Sequence, residues 1–180
     1  MAVSIVPHDP HWSSVFADEA KALRIALGAA AIDIHHIGST AIPGILAKPI
    51  IDILGVVSSL AATDQAAERM HTLGYDAKGE NGIPGRRYFR KSDQRGNRTH
   101  HLHVFETGSP HIERHLAFRD FLIAHPGKAA LYSEAKTVLA GVSPSRQAYQ
   151  EGKEPLIAAL EQEAIAWRRR HARLGEDAPR

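Results

Sequence analysis

His36-Ile37-Gly38-Ser39-Thr40-Ala41-Ile42-Pro43-Gly44-Ile45-Leu46-Ala47-Lys48-Pro49-Ile50-Ile51-Asp52-Ile53 joins two predicted strands. Residues Ala31 to Ile37 alternate, Ile32 and Ile34 against Asp33 and His35, as a strand with two unlike faces does. That strand runs directly into Gly38-Ser39-Thr40. Such an ending offers backbone N–H groups and hydroxyls at the start of the next turn, which suits an anionic phosphate. Pro49 to Val57 is a second strand, apolar on both faces apart from Asp52, so a buried central position is expected. Twelve residues separate Ser39 from Asp52. Burying an unpaired carboxylate costs several kcal/mol, so Asp52 calls for a partner: a cation, an arginine or a metal ion. Lys48, between the two, is either a solvated strand-edge cation or a contact for a phosphate oxygen.

Outward from this segment the chain reads as helices, a small sheet, and helices again. Asp9-Pro10 looks like an N-cap with proline in the first turn, and Val15, Phe16, Ala20, Leu23 and Leu27 follow at helical spacing up to Gly28. Ala61 to Leu73 is helix-forming and closed by Gly74, and Tyr75 to Lys78 is a short strand. Arg86 to Ser92 and Thr99 to Phe105 are β-rich arms around Asp93-Gln94-Arg95-Gly96-Asn97-Arg98, a hairpin signature. Helices are expected over Ile112 to Ala124, over Lys128 to Ala140, and from about Pro144 to Arg173 with an interruption near Gly152 and Pro155. The expected fold is α+β: a small mixed sheet flanked by helices, with a C-terminal helical portion. Residues 1–174 read as one domain and 175–180 as a frayed tail.

The Gly38-Ser39 to Asp52 segment resembles the GrpB family of nucleotidyltransferase-like proteins. More distantly, it is similar to the Gly-Ser then Asp-x-Asp/Glu signature of the DNA polymerase beta-like nucleotidyltransferase superfamily. The GrpB resemblance continues through Tyr88-Phe89-Arg90-Lys91, His101-Leu102-His103-Val104, Leu116-Ala117-Phe118-Arg119-Asp120, His125-Pro126 and Tyr149 to Lys153. The superfamily resemblance implies a sheet of nucleotidyltransferase type, Gly38, Ser39 and Thr40 against nucleotide phosphates, and strand carboxylates holding two divalent cations, Mg²⁺ or Mn²⁺, for transfer at the α-phosphate. Asp52 is then the catalytic acid. The second acid of the pair falls on Leu54, so either another residue replaces it or the domain binds a phosphorylated ligand without transferring it. Arg119, Asp120, Tyr149 and Lys153 belong to the resemblance, but their spacing assigns them no role.

Strand parity suggests one replacement. His101 and His103 share a face with Thr99 and Phe105, while Leu102 and Val104 point to the core. If this strand lies beside that of Asp52, then Asp52, His101 and His103 can surround one transition metal; the alternative is two hydrogen-bonded structural histidines. His111 and His115 share a helix face without the Glu placement of a zinc protease, and read as packing residues. Between Arg86 and Arg98 six basic residues face one acid, a charge suited to a polyphosphate, with Arg90 and Lys91 the candidates within the resemblance, or simply a solvated hairpin. Arg168-Arg169-Arg170 and Arg173 close a helix and complement its dipole.

Composition bounds the rest. The chain has 180 residues, 43% of them hydrophobic, enough to bury a single core without staples. With no cysteine, thiol chemistry and Cys-type zinc sites are excluded, and any metal must be held by oxygen and imidazole. The sequence shows no secretion signal and no membrane span, so a soluble cytoplasmic protein is expected. Net charge is +2, and no motif or extended basic face points to sequence-specific nucleic-acid binding. The expected partner is a nucleotide or other phosphorylated small molecule.

Overall fold

The computed structural model describes residues 4–176. Five strands form one mixed sheet: β1 (Ala31–Ile37), β2 (Ile51–Val57), β3 (Tyr75–Ala77), β4 (Arg86–Ser92) and β5 (Arg98–Glu106), in the order β1-β2-β5-β4-β3. Only β2 and β5 run parallel; the other neighbours are antiparallel. The apolar β2 sits between β1 and β5, as its lack of a polar face requires.

Each face of the sheet carries its own core. Ile51, Ile53 and Val57 of β2, with Phe89, Leu102 and Val104, pack under α1 (Trp12–Leu27), α2 (Leu60–Gln65) and α3 (Ala67–Thr72). Leu54 and Val56, with Ile37 and Phe105, turn to the opposite face against Leu116 of α4 (Pro110–Ala124). Behind α4 lie α5 (Pro126–Val142) and α6 (Arg146–Glu176), joined to it by Ala117, Phe121, Tyr132 and Leu160. Asp52 is therefore on the face covered by α4 to α6. The 42–50 connection is held by an isolated bridge in which Val6 and Ala47 exchange hydrogen bonds of 2.8 and 2.9 Å.

Most element ends shift by one to three residues from expectation, and three of the differences have a structural reason. The first helix begins at Trp12, with His11 as its N-cap, and Asp9 acts from outside by accepting the His11 N–H at 2.9 Å. The 61–73 helix is divided at Ala66 into α2 and α3. The C-terminal stretch has no interruption: α6 contains Pro155, and Gly152 serves close packing, since a Cβ there would stand 2.9 Å from Leu139 of α5. A helix held along one side by α4 and α5 tolerates the single N–H that proline removes. It continues to Glu176, so the start of the expected tail is helical and 177–180 lie outside the described residues. No helix among the described residues is long and apolar enough to cross a membrane.

Candidate functional site

Sheet register builds the centre of the site. Ile37 pairs with Asp52, Asp52 with His101, and His101 with Arg90, so one row across four strands sets a carboxylate, an imidazole and a guanidinium side by side. Immediately after Ile37 the chain turns at Gly38, with φ of 69°, into a single 3₁₀ turn, Ser39–Ala41. Glycine is required there twice over. Its φ is one that L side chains avoid, and a Cβ would lie 2.5 Å from Asp52 Oδ2. Ser39 Oγ accepts from Lys136 Nζ of α5 at 3.0 Å, and the same ammonium donates to the Leu46 carbonyl. Thr40 lines the same turn but is 2% exposed; its hydroxyl lies 2.9 Å from His36 Nε2 and donates to the Ile50 carbonyl at 3.4 Å, which ties the turn to the entry of β2.

Asp52 finds its partner in His101, whose Nδ1 lies 3.0 Å from Oδ1. Burial pushes the carboxyl pKa up, but the His101 hydrogen bond, with Lys153 nearby, outweighs it, and the net shift is downward. Asp52 is thus a carboxylate at neutral pH, with 31% of its side chain exposed. His103 does not join it. Arg86 donates to His103 Nδ1 at 3.2 Å, and burial, with Arg86 beside it, lowers the pKa of His103 to about 4, so that its ring is a neutral acceptor. The expected Asp52, His101 and His103 triad is therefore not assembled, and among the described residues no three His, Asp or Glu side chains are placed to hold a metal ion.

These groups open into a cavity of about 460 Å³ between the sheet and the three C-terminal helices. Six cations line it: Lys48, Arg90, Arg98, Arg114 of α4, Lys136 of α5 and Lys153 of α6. Only Asp52 and Glu161 oppose them, and Glu161 is held by Arg114 at 3.0 Å. Tyr149 separates two of the cations, with Lys48 Nζ at 4.3 Å and Lys153 Nζ at 5.2 Å from its ring centre. Burial, with Lys153 nearby, lowers the pKa of Lys136 to about 7, and burial lowers that of Lys153 too. Four residues lining the cavity carry a buried polar atom without a hydrogen-bond partner: Arg90 Nε, His101 Nε2, Arg114 Nε and His115 Nε2. Buried polar atoms in folded proteins are almost always satisfied, so four without a partner around one cavity set it apart from the rest of the interior.

The basic hairpin is not a uniform patch. Strand parity puts Arg90 into the cavity but sends Lys91 to the other face, where it donates to both Glu19 carboxylate oxygens at 2.9 Å. Lys91 is thus a structural ion-pair partner of α1, not a phosphate contact. Arg87 is likewise taken by Asp64, at 2.6 and 2.8 Å, and Arg86 by the Glu80 and Asn81 carbonyls as well as His103. Sequence reasoning missed Arg114 and Lys136 altogether, and left Tyr149 and Lys153 without a role. They come from three helices distant in the chain, and only tertiary packing brings them to the Gly38-Ser39 turn. Arg119 and Asp120 bond to each other instead, with Arg119 also donating to the His36 carbonyl and Asp120 accepting from Arg168.

The buried imidazoles have a consequence for stability. Burial lowers His36 as well as His103 from 6.5 to about 4. Between those values the unfolded chain binds protons that the native one refuses, so stability falls as pH drops from 6.5 towards 4. At about 1.4 kcal/mol per unit, each ring contributes on the order of 3 kcal/mol to that loss. Urea midpoints at pH 7 and 4.5 check this. His103→Gln, which keeps an acceptor for Arg86, is expected to show a shallower decline; a decline as steep as that of the unaltered protein would contradict it.

Comparison with known proteins places this geometry. The family model described as GrpB protein matches residues 2–163. The chain belongs to the GrpB family. UPF0157 protein YqkA of Bacillus subtilis is 46% identical over 168 residues, covering 93% of this chain and 48% of YqkA, so the chain spans about half the length of that relative. The crystal structure of GrpB from Enterococcus faecalis is 37% identical with a TM-score of 0.86, over 91% of this chain and 98% of that one. The Cid1 poly(U) polymerase with Mg 3'-dATP bound is 14% identical with a TM-score of 0.52, over 75% of this chain and 44% of that one. The last likeness is one of fold, and it makes the GrpB sheet one of nucleotidyltransferase type.

Proposed function

We propose that the cavity binds a phosphorylated ligand, with a nucleoside triphosphate the best fit to its size and charge. Its phosphates lie against the Gly38-Ser39 turn and between Lys48, Arg90, Lys136 and Lys153. The observation that carries this reading is the convergence of six cations and four unpartnered buried donors or acceptors on one cavity beside that turn. A volume of about 460 Å³ is within the range of small-molecule sites. Phosphate oxygens satisfy guanidinium and ammonium groups with charge-assisted hydrogen bonds.

The donor set does not fit the two-cation centre implied by the wider nucleotidyltransferase resemblance. Asp52 supplies one carboxylate, with one oxygen already engaged by His101, and Leu54 is 0% exposed in the core where a second acid would stand. This donor set favours a binding protein over a nucleotidyltransferase.

Titration calorimetry with ATP and with inorganic tripolyphosphate tests the proposal. One site is expected, weakened about tenfold or more by Arg90→Gln or Lys153→Met, since a hydrogen bond to a charged group is worth about 1.5–3 kcal/mol. A polyanion raises the pKa of Lys136 from its value near 7, so binding takes up a proton and affinity falls as pH rises from 7 to 9. Lys136→Met is expected to flatten that dependence. Binding that is absent, or indifferent to all three substitutions, would overturn the proposal.

A further inference from the structure

We infer that this cavity takes its polyphosphate as the free anion, without a divalent cation, the lysines and arginines supplying the neutralisation that Mg²⁺ provides elsewhere. The inference rests on the site proposed above and concerns the form in which its ligand binds.

The face of the sheet that carries Asp52 has no room for a second carboxylate. Two residues along β2, Leu54 is packed among Ile37, Val56, Phe105 and Leu116. Across the parallel pairing, Asp52 and Leu54 lie opposite His101 and His103, whose Nδ1 atoms are engaged by Asp52 and Arg86 respectively, so that the one open imidazole nitrogen set beside Asp52 is His101 Nε2, a poor ligand for a hard cation. Glu161, the remaining acid of the cavity, is held by the Arg114 guanidinium at 3.0 and 3.3 Å. A divalent ion would thus meet a single carboxylate among six cations. Hard cations such as Mg²⁺ are bound through carboxylates and phosphates in near-octahedral geometry, and neither histidine nor ammonium substitutes for these ligands.

Charge decides which form of the ligand is preferred. A fully ionised triphosphate carries about four negative charges, and its Mg²⁺ complex about two, so complexation removes much of the Coulomb attraction to the cavity. Asp52 then has a different part from that of a metal ligand. It fixes His101 beside the anion, and its own negative charge opposes phosphate binding.

The test is calorimetry of inorganic tripolyphosphate and ATP with the full chain, in EDTA and then in excess Mg²⁺ or Mn²⁺, repeated with Asp52→Asn. The expected result is one-site binding in EDTA, weakened about fivefold or more by Mg²⁺ as the ligand's charge is reduced. Asp52→Asn is expected to bind at least as tightly as the unaltered protein in EDTA. Binding that requires Mg²⁺ or Mn²⁺ and is lost in Asp52→Asn would overturn the inference while leaving the site standing. Absence of binding in every condition would overturn the site and this inference with it.

Discussion

Leu54→Asp, which writes a second acid into β2 two residues after Asp52, is expected to unfold the protein rather than equip it with a metal centre. Leu54 is wholly buried, packed between the sheet and α4 by Ile37, Val56, Phe105 and Leu116. Removing a buried leucine costs about 2–5 kcal/mol by itself. The nearest cations on that face are already engaged, Arg86 by two carbonyls and His103 and Arg114 by Glu161, and a buried carboxyl without a partner adds several kcal/mol. The total is comparable with the whole stability of a domain, about 5–15 kcal/mol. Urea denaturation of Leu54→Asp is expected to show a loss of about 5 kcal/mol or more, or no cooperative transition. Leu54→Met, which conserves volume, should lose less than about 1.5 kcal/mol. A Leu54→Asp protein that melts normally and binds stoichiometric Mn²⁺ would contradict this account of the face.

Gly38→Ala is expected to damage both stability and ligand binding, by two separable routes. The Gly38 backbone, φ 69° and ψ −172°, is one that only glycine adopts readily and costs an alanine about 1–3 kcal/mol. The methyl group would also meet Asp52 Oδ2 at 2.5 Å, Cβ at 2.9 Å and Cγ at 3.0 Å, which forces Asp52 off its hydrogen bond with His101 or moves the turn. Gly44→Ala separates the two routes, because its φ is 79° with nothing within 4 Å of the added carbon. Thermal denaturation should place Gly38→Ala about 2–4 kcal/mol below the unaltered protein and Gly44→Ala only about 1 kcal/mol below. Tripolyphosphate affinity should fall more than about tenfold in the first variant, as hydrogen bonds to charged groups are lost, and stay near normal in the second. Equal effects of the two substitutions would show that the contact with Asp52 is unimportant.

The strands were legible because their signal is local. Alternation marked 31–37 with the same bounds as β1, and the apolar run around Asp52 correctly implied a strand covered on both faces. Parity also placed His101 and His103 opposite Leu102 and Val104. The same rule, carried along the neighbouring strand, separates Arg90 from Lys91, whereas counting the charges between Arg86 and Arg98 merged two faces into one patch. What spacing cannot supply is the far side of the cavity. Arg114, Lys136 and Lys153 stand on three helices, and each looks in sequence like an ordinary cation on a half-polar helix. Their meeting depends on how α4, α5 and α6 pack, through residues such as Phe121, Tyr132 and Leu160. The supposed interruption of α6 failed for the same reason, since Gly152 and Pro155 were read by their local tendencies while the helix is held by its neighbours.

The site also changes the meaning of its conspicuous acid. Asp52 in an apolar strand invites the idea of a metal ligand, yet its partner is an imidazole across the parallel pairing, and cations dominate the space in front of it.

The most direct measurement is a crystal structure of this protein with inorganic tripolyphosphate, grown in EDTA. The account predicts phosphate density against the Gly38-Ser39 turn, within hydrogen-bonding distance of Arg90, Lys136 and Lys153. Phosphate bound elsewhere on the surface with this cavity left to solvent would contradict it.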